Sequence, residues 1–358
     1  MPERLDALTV WLRSVLCNAM EGASRSTDFQ ISPASADASF RRYFRVTGAA
    51  VSHCFGESFE SLIVMDAPPE KEDSHPFVAV ATMLAEIGVN VPRVLAKNFE
   101  QGFLLLTDLG TQAYLDVLKE QTVERLYADA LDALLLMQAN APRNSLQDVS
   151  QNTLQDTPAG GPLLPAYDAT LLLQEMELFR NWYCRQYRKF SFSDTQQAEL
   201  NQVFQQLCDA ALAQPQVFVH RDYHSRNLMV SAQHNPGILD FQDAVVGPVT
   251  YDLVSLLRDC YINWPRQRVE RWALDYLHRA ADAGLISHET DATFLQWFDW
   301  MGVQRHLKAS GIFARLYLRD HKPGYLGDIP RTLAYVQDVS SRYPQLGALH
   351  HLLNELVS

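Results

Sequence analysis

Asp222 and Asn227 stand five positions apart in VFVHRDYHSRNLMV (residues 217–230), just after an apolar run that reads as a strand. A carboxylate at a strand end can orient a hydroxyl and accept its proton, while an amide oxygen one loop further on can ligate a divalent cation. A third oxygen donor, Asp240, sits near the end of a second apolar strand, GILDF (237–241). Two neighbouring strands would bring all three side chains to one edge, the minimum equipment for transferring a phosphoryl group to an alcohol. His220 and His224, at i and i+4, invite a zinc reading instead. That motif needs a helix with a Glu between its histidines, whereas here VFV favours a strand running into a loop and Asp222 takes the Glu place. His220 is read as a packing residue of the loop.

The elements that must position these groups fall into two parts. Leu5, Leu8, Leu12, Val15 and Leu16 recur at helical spacing, so the chain opens on an amphipathic helix. SADASFRRYFRVTG (35–48) begins small and polar and then alternates, and SLIVMDA (61–67) and GFLLLTDLG (102–110) read as buried strands. Between them, HPFVAVATMLAEIGVNVP (75–92) reads as a helix ended by Gly88 and Pro92. Long helices follow, among them ERLYADALDALLLMQAN (124–140), interrupted only by QVFVH (216–220) and GILDF. The Pro-, Gly- and Gln-rich stretch 141–165 comes after the change from β to α and is read as a surface loop. The expected architecture is α+β: a small β-rich lobe over 1–108 and a large helical lobe over 109–358.

Composition sets the outer bounds. A chain of 358 residues is long for one core, which supports two lobes. The formal net charge of −12 argues against non-specific binding to nucleic acid or acidic membranes, either of which would want a basic face. Five widely spaced cysteines without a Cys-x-x-Cys suggest reduced thiols rather than a disulfide framework or zinc cluster. MPERLDALTVWLRSVL lacks an uninterrupted signal-peptide core and no apolar run reaches membrane-span length, so a cytoplasmic protein is expected.

The spacing His-Arg-Asp-x4-Asn resembles a protein-kinase catalytic loop, but the neighbouring residues do not fit that family. Protein kinases carry Lys two residues after the Asp, where this chain has His224. DFQDAVVGPVTYDLVSLL (240–257) also runs straight into a helix, leaving no peptide-binding activation segment. HxDxHxxN followed by LDFQDA and GPVTYDL resembles instead the aminoglycoside phosphotransferase and choline kinase branch of the bilobal protein-kinase-like fold. The resemblance implies ATP and Mg²⁺ as cofactors, Asp222 as base and Asn227 and Asp240 as metal ligands. Asp252 would be the structural Asp, capping a helix while tying down the loop. Small-lobe residues Ser39, Arg42 and Arg45 would lie near the nucleotide phosphates. The hinge over Thr107, Asp108 and Leu109 would meet the adenine through backbone groups. One departure is clear: after LIVM the family places a phosphate-clamping Lys, and this chain has Asp66, with Phe77 in place of the partner Glu. Arg42, Arg45 and Lys71 are the nearby cations. The missing Lys keeps a catalytically impaired, nucleotide-binding regulatory protein as an alternative.

Longer strings carry a narrower resemblance. RRYFRV, SLIVMDAPPEKEDSHPFV, GVNVPRVLAKNFEQGFLLLTDLG, YDLVSLLRDCYINWP and GVQRHLKASGIFARLYLRDHKPGYLGDIPR are similar to the anomeric amino-sugar kinases of bacterial cell-wall recycling. Those enzymes phosphorylate C1 of N-acetylmuramate and N-acetylglucosamine, and a nucleotidyltransferase takes the 1-phosphate. A lactyl carboxylate would suit an Arg. QRHLKASGIFARLYLRD (304–320) offers Arg305, His306, Lys308, Arg315 and Arg319, with 305, 308 and 315 on roughly one helical face. His224, Asp259, Arg305 and His306 are the expected sugar contacts, with Tyr261 as an aromatic platform. The enzymic alternative is a kinase of another small alcohol, such as an aminoglycoside or choline, for which the basic C-terminal cluster is a poor match.

Overall fold

Five antiparallel strands form the sheet expected of the first third, in a computed structural model that describes residues 2–19, 28–36, 40–52, 54–141, 164–287 and 289–357. They are β1 (Gln30–Ala36), β2 (Arg42–Thr47), β3 (Leu62–Asp66), β4 (Val94–Asn98) and β5 (Phe103–Thr107), in the order β1-β2-β3-β5-β4. Alternation decides what each face buries. Leu62 and Val64 of β3 and Phe103 and Leu105 of β5 join Leu8, Leu12 and Leu16 of the helix Pro2–Ala19 in one core cluster. Met65, Leu104 and Leu106 are also buried and point to the opposite face by the period of two. The helix His75–Glu86 contributes Phe77, Val80, Ala81, Met83 and Leu84 to the interior. β4 was not anticipated, because VLAKN buries no residue fully and so shows no apolar alternation.

Met1–Gln112 and Met229–Gln242 make one compact unit, and Ala113–Leu228 with Asp243–Ser358 make the other. The second is the helical one, so the expected α+β layout is what the chain adopts. Its core gathers residues from Ala169–Leu178, Asp194–Leu212, Asp291–Leu318, Ile329–Ser340 and Gly347–Val357. No helix among the described residues is long and apolar enough to cross a membrane.

The strand pairing corrects one expectation. Gln216–Val219 does not neighbour GILDF; it pairs antiparallel with Val245–Pro248, whose four residues are all buried. Gly237–Ile238 pairs instead with Leu228–Met229. The buried run VVGP is the longer complement to QVFV, while GI needs only its own hairpin.

Helix Asp291–Leu318 is the spine of the second unit, and it packs against Ala169–Leu178 and the π-helix Phe179–Tyr187 that continues it. The close approach depends on Gly311. A Cβ there would lie 2.3 Å from the Leu178 carbonyl carbon and 2.5 Å from the Phe179 nitrogen, where the α-helix becomes a π-helix. Backbone cannot swing aside as a side-chain tip can. Gly311→Ala is therefore expected to destabilise the protein by about 2–3 kcal/mol, seen as a lower urea midpoint.

Candidate active site

The loop 220–227 is held by backbone amides and side chains together. The Asp252 carboxylate accepts from the amides of His220 (2.6 Å) and Arg221 (3.0 Å). Asp252 is the second residue of the helix Tyr251–Leu257, whose cap is Thr250, so it ties the loop down without capping the helix. Burial pushes its carboxyl up to about 7 against the pull of the two amides. Tyr223 Oη donates to the Ala130 carbonyl at 2.7 Å, and Ser225 donates through both amide and hydroxyl to Asp259 at 2.9 and 2.5 Å. Asn227 Nδ2 donates to the Asp222 carbonyl at 3.0 Å, which fixes the amide orientation and with it the position of the side-chain oxygen. Arg221 sits at φ 77°, the local strain that turns the chain between strand and loop.

Beneath the loop lies a buried ionic cluster. Glu175, only 5% exposed, pairs with Arg221 at 2.6 Å and Lys308 at 2.9 Å, and accepts from Tyr167 and from Gln304 at 3.2 Å. Lys308 also donates to Tyr251 Oη at 3.0 Å. Burial opposes the Glu175 charge, but Lys308 and Arg221 outweigh it and hold the carboxyl below its ordinary value. The same balance governs Asp222. Desolvation pulls its carboxyl up, and the charges of Lys308, Arg305 and Arg221 bring it below the usual aspartate value.

The structure sorts the expected sugar contacts. Desolvation lowers the pKa of His224, and its Nδ1 is buried with no hydrogen-bond partner among the described residues. Arg305 is 6% exposed, gives one long contact to Cys260 Sγ at 3.6 Å, and leaves Nε unsatisfied. Buried donors without partners are costly unless a ligand or water completes them. His306 is different: Nε2 lies 2.8 Å from the Arg258 carbonyl, Nδ1 faces the Gly302 carbonyl, and burial lowers its pKa to about 3. Its ring has no nitrogen left for a sugar. Asp259 already serves Ser225 and the Tyr261 amide (3.0 Å), so its first task is to join two segments.

The residues expected beside the nucleotide belong to the first unit. Ser39 falls outside the described residues. Arg45 grips Asp108 through Nε (2.5 Å) and Nη2 (3.1 Å) and also donates to the Gly110 carbonyl, while Ser61 and the Gly110 amide donate to the same Asp108 carboxylate. Those two side chains brace the turn after β5. Thr107 Oγ1 accepts from the Arg93 amide at 2.9 Å and its own amide donates to the Arg93 carbonyl, while Leu109 packs on Gly237. Arg42 is paired across the β2–β3 ladder with Asp66, whose other oxygen takes Arg4. Asp66, at the expected Lys position, thus holds two guanidiniums and leaves the local charge positive. Arg4 was not foreseen; a fully buried Asp at the end of a strand was the signal that cations had to come from elsewhere.

Asn227 and Asp240 are hard oxygen donors of the type Mg²⁺ takes alongside nucleotide phosphates rather than in an all-protein cage. Asp240 has φ 65° and accepts from Gln242 Nε2 at 2.7 Å, and its charge is felt by Arg41.

An α+β scaffold with such a braced Asp-loop-Asn segment defines a small-molecule phosphotransferase of protein-kinase-like fold. A solved choline kinase from Cryptosporidium parvum shares that fold, with a TM-score of 0.61 at 11% identity over 98% of this chain and 100% of its own. The model of the phosphotransferase enzyme family (APH) matches residues 30–290, and the chain belongs to that family. Among relatives, it is 47% identical to an N-acetylmuramate/N-acetylglucosamine kinase of Pseudomonas putida, covering 99% of this chain and 98% of that one. It is 45% identical to the protein of that name from Pseudomonas aeruginosa, covering 99% and 97%.

Proposed function

We propose that this protein transfers the γ-phosphoryl group of ATP to the anomeric C1 hydroxyl of N-acetylmuramate and N-acetylglucosamine. The observation that carries this reading is identity of 47%, end to end, with a kinase named for those two sugars. Asp222 orients the hydroxyl and takes its proton. A carboxylate held below the ordinary value is a weak base, which suits late proton transfer in a loose phosphoryl transition state. An anomeric hydroxyl is more acidic than other sugar hydroxyls, so it makes the least demand on such a base. His224 and Arg305 meet the sugar or the transferring group through their unsatisfied nitrogens. Mg²⁺ on Asn227 and Asp240 would neutralise charge on the β- and γ-phosphate oxygens. Arg42, set by Asp66, takes the phosphate-binding part of the missing Lys, and backbone groups near Thr107 and Leu109 meet the adenine. The reading places the enzyme in the cytoplasm with its ATP, and a nucleotidyltransferase as the consumer of the sugar 1-phosphate in cell-wall recycling.

Product NMR after incubation with ATP, Mg²⁺ and N-acetylmuramate tests it. The expected product shows phosphorus coupled to the anomeric proton. Phosphate on C6 would reject the regiochemistry, and turnover of kanamycin or choline but of neither amino sugar would reject the substrate class.

A further inference from the structure

N-acetylmuramate differs from N-acetylglucosamine by a lactyl ether on O3, which adds a carboxylate away from the C1 hydroxyl. The foreseen cation, Arg305, is buried, and its charge bears on Asp222. We propose that Arg226, stacked on Tyr261 at the outer end of the same loop, is the residue that recognises the lactyl carboxylate and sets preference between the two sugars. The inference rests on the amino-sugar kinase reading.

Three observations carry it. Arg226 is exposed, four positions after Asp222, and no carboxylate among the described residues pairs with it. Its Cζ lies over the Tyr261 ring, 3.7 Å from its centre, close enough for the guanidinium to stack on the ring face, and 5.6 Å from the centre of the Tyr325 ring. Stacking uses the face of the guanidinium and leaves its in-plane N–H edge open, the edge that grips a carboxylate with two parallel hydrogen bonds. The platform is itself fixed. The Asp259 carboxylate takes Ser225, next to Arg226, on one oxygen and the Tyr261 amide on the other. Tyr325 stacks on Phe313 of the spine helix at 5.6 Å and 15°. A surface arginine that served only solubility would have no need of so rigid a mount.

Tyr261 also links the two ends of the loop. The His224 ring meets it edge-on at 5.5 Å, so the sequence Asp222, His224, Tyr261, Arg226 leads from the base through an open imidazole nitrogen and an aromatic face to the open guanidinium. A sugar laid along that path has its C1 hydroxyl at one end and an O3 substituent toward the other.

The test compares kcat/KM for the two sugars in wild type, Arg226→Gln and Arg226→Lys, with melting temperatures as a check on folding. The ratio of N-acetylmuramate to N-acetylglucosamine is expected to fall about 30-fold in R226Q, the loss of one charge-assisted pair. R226K, which keeps the charge but lacks the planar fork, should fall between. The methyl ester of N-acetylmuramate should be a poor substrate for wild type, and R226Q should no longer distinguish ester from acid. An unchanged ratio overturns the proposal, and an equal loss on both sugars with a raised KM for ATP would place Arg226 on the phosphates instead. Wild-type enzyme inactive on both sugars would overturn the underlying reading, a result separable from either of these.

Discussion

Asp222→Asn is expected to lower kcat on the order of 10³-fold while leaving the melting temperature within a few degrees of wild type. The expectation follows from how the loop is held. The anchors of 220–227 are the Asp252 and Asp259 carboxylates, Tyr223 Oη and the Asn227 amide, and the last of these reaches the backbone of residue 222 rather than its side chain. No hydrogen bond among the described residues ends on the Asp222 carboxylate, so an isosteric amide removes a proton acceptor and a charge without removing a strut. Nearby Lys308, Arg305 and Arg221 lose one opposing charge, but Glu175 still neutralises two of them directly. KM for both substrates should change little, because the loss is in the transition state. Steady-state kinetics with ADP detection and a thermal melt check both halves. Near-wild-type kcat would remove Asp222 from the chemistry, whereas a collapsed melting transition would make the residue structural.

The parts of this arrangement legible in the sequence were those whose chemistry fixes local spacing. HRDYHSRN and the Asp of GILDF stood out because a loop that serves both hydroxyl and metal has few ways to be built. The two-lobe order was legible because strand and helix periods differ. What escaped was set by contacts far apart along the chain. Lys308 and Arg305 looked like a basic stripe on a helix face; Glu175, 133 positions before Lys308, turns the former into one arm of a buried pair. His306 looked like a ligand because it sits among cations, but the register of its helix aims it at the Arg258 carbonyl. Asp66 read only as a missing Lys, since nothing local announces that a helix at the N-terminus and the neighbouring strand each send it an arginine. Arg226 lay within the motif itself, overlooked because the motif's chemistry is carried by the residues on either side.

Glu175→Gln should cost about 3–5 kcal/mol of unfolding free energy at neutral pH, the usual penalty for breaking a buried ion pair from one side. Its two cationic partners would remain in the interior with a neutral amide between them, and neither has a second carboxylate in direct contact among the described residues. The pH dependence gives a signature that loss of packing would not. The folded-state pKa of Glu175 lies below the ordinary value, so its stabilisation is fully present above that ordinary value and is lost as pH falls through the lowered one. Wild type and E175Q should therefore converge in stability on acidification below about pH 4.5, the unperturbed range for glutamate, and diverge to the full difference at neutrality. Urea unfolding at a series of pH values measures this directly, and a gap that stayed constant across the acid range would show that volume or geometry, not charge, is what Glu175 supplies. Activity should suffer beyond the loss of folded protein, because Arg221 is both the partner of Glu175 and the strained residue preceding Asp222. With that side-chain anchor gone, the φ of 77° at Arg221 rests on the Asp252 contact to its amide alone, and the Asp222 carboxylate is aimed less firmly. The cluster under the loop thus couples the stability of the helical unit to the geometry of the base, through one side chain that reads in the sequence as an ordinary helix glutamate.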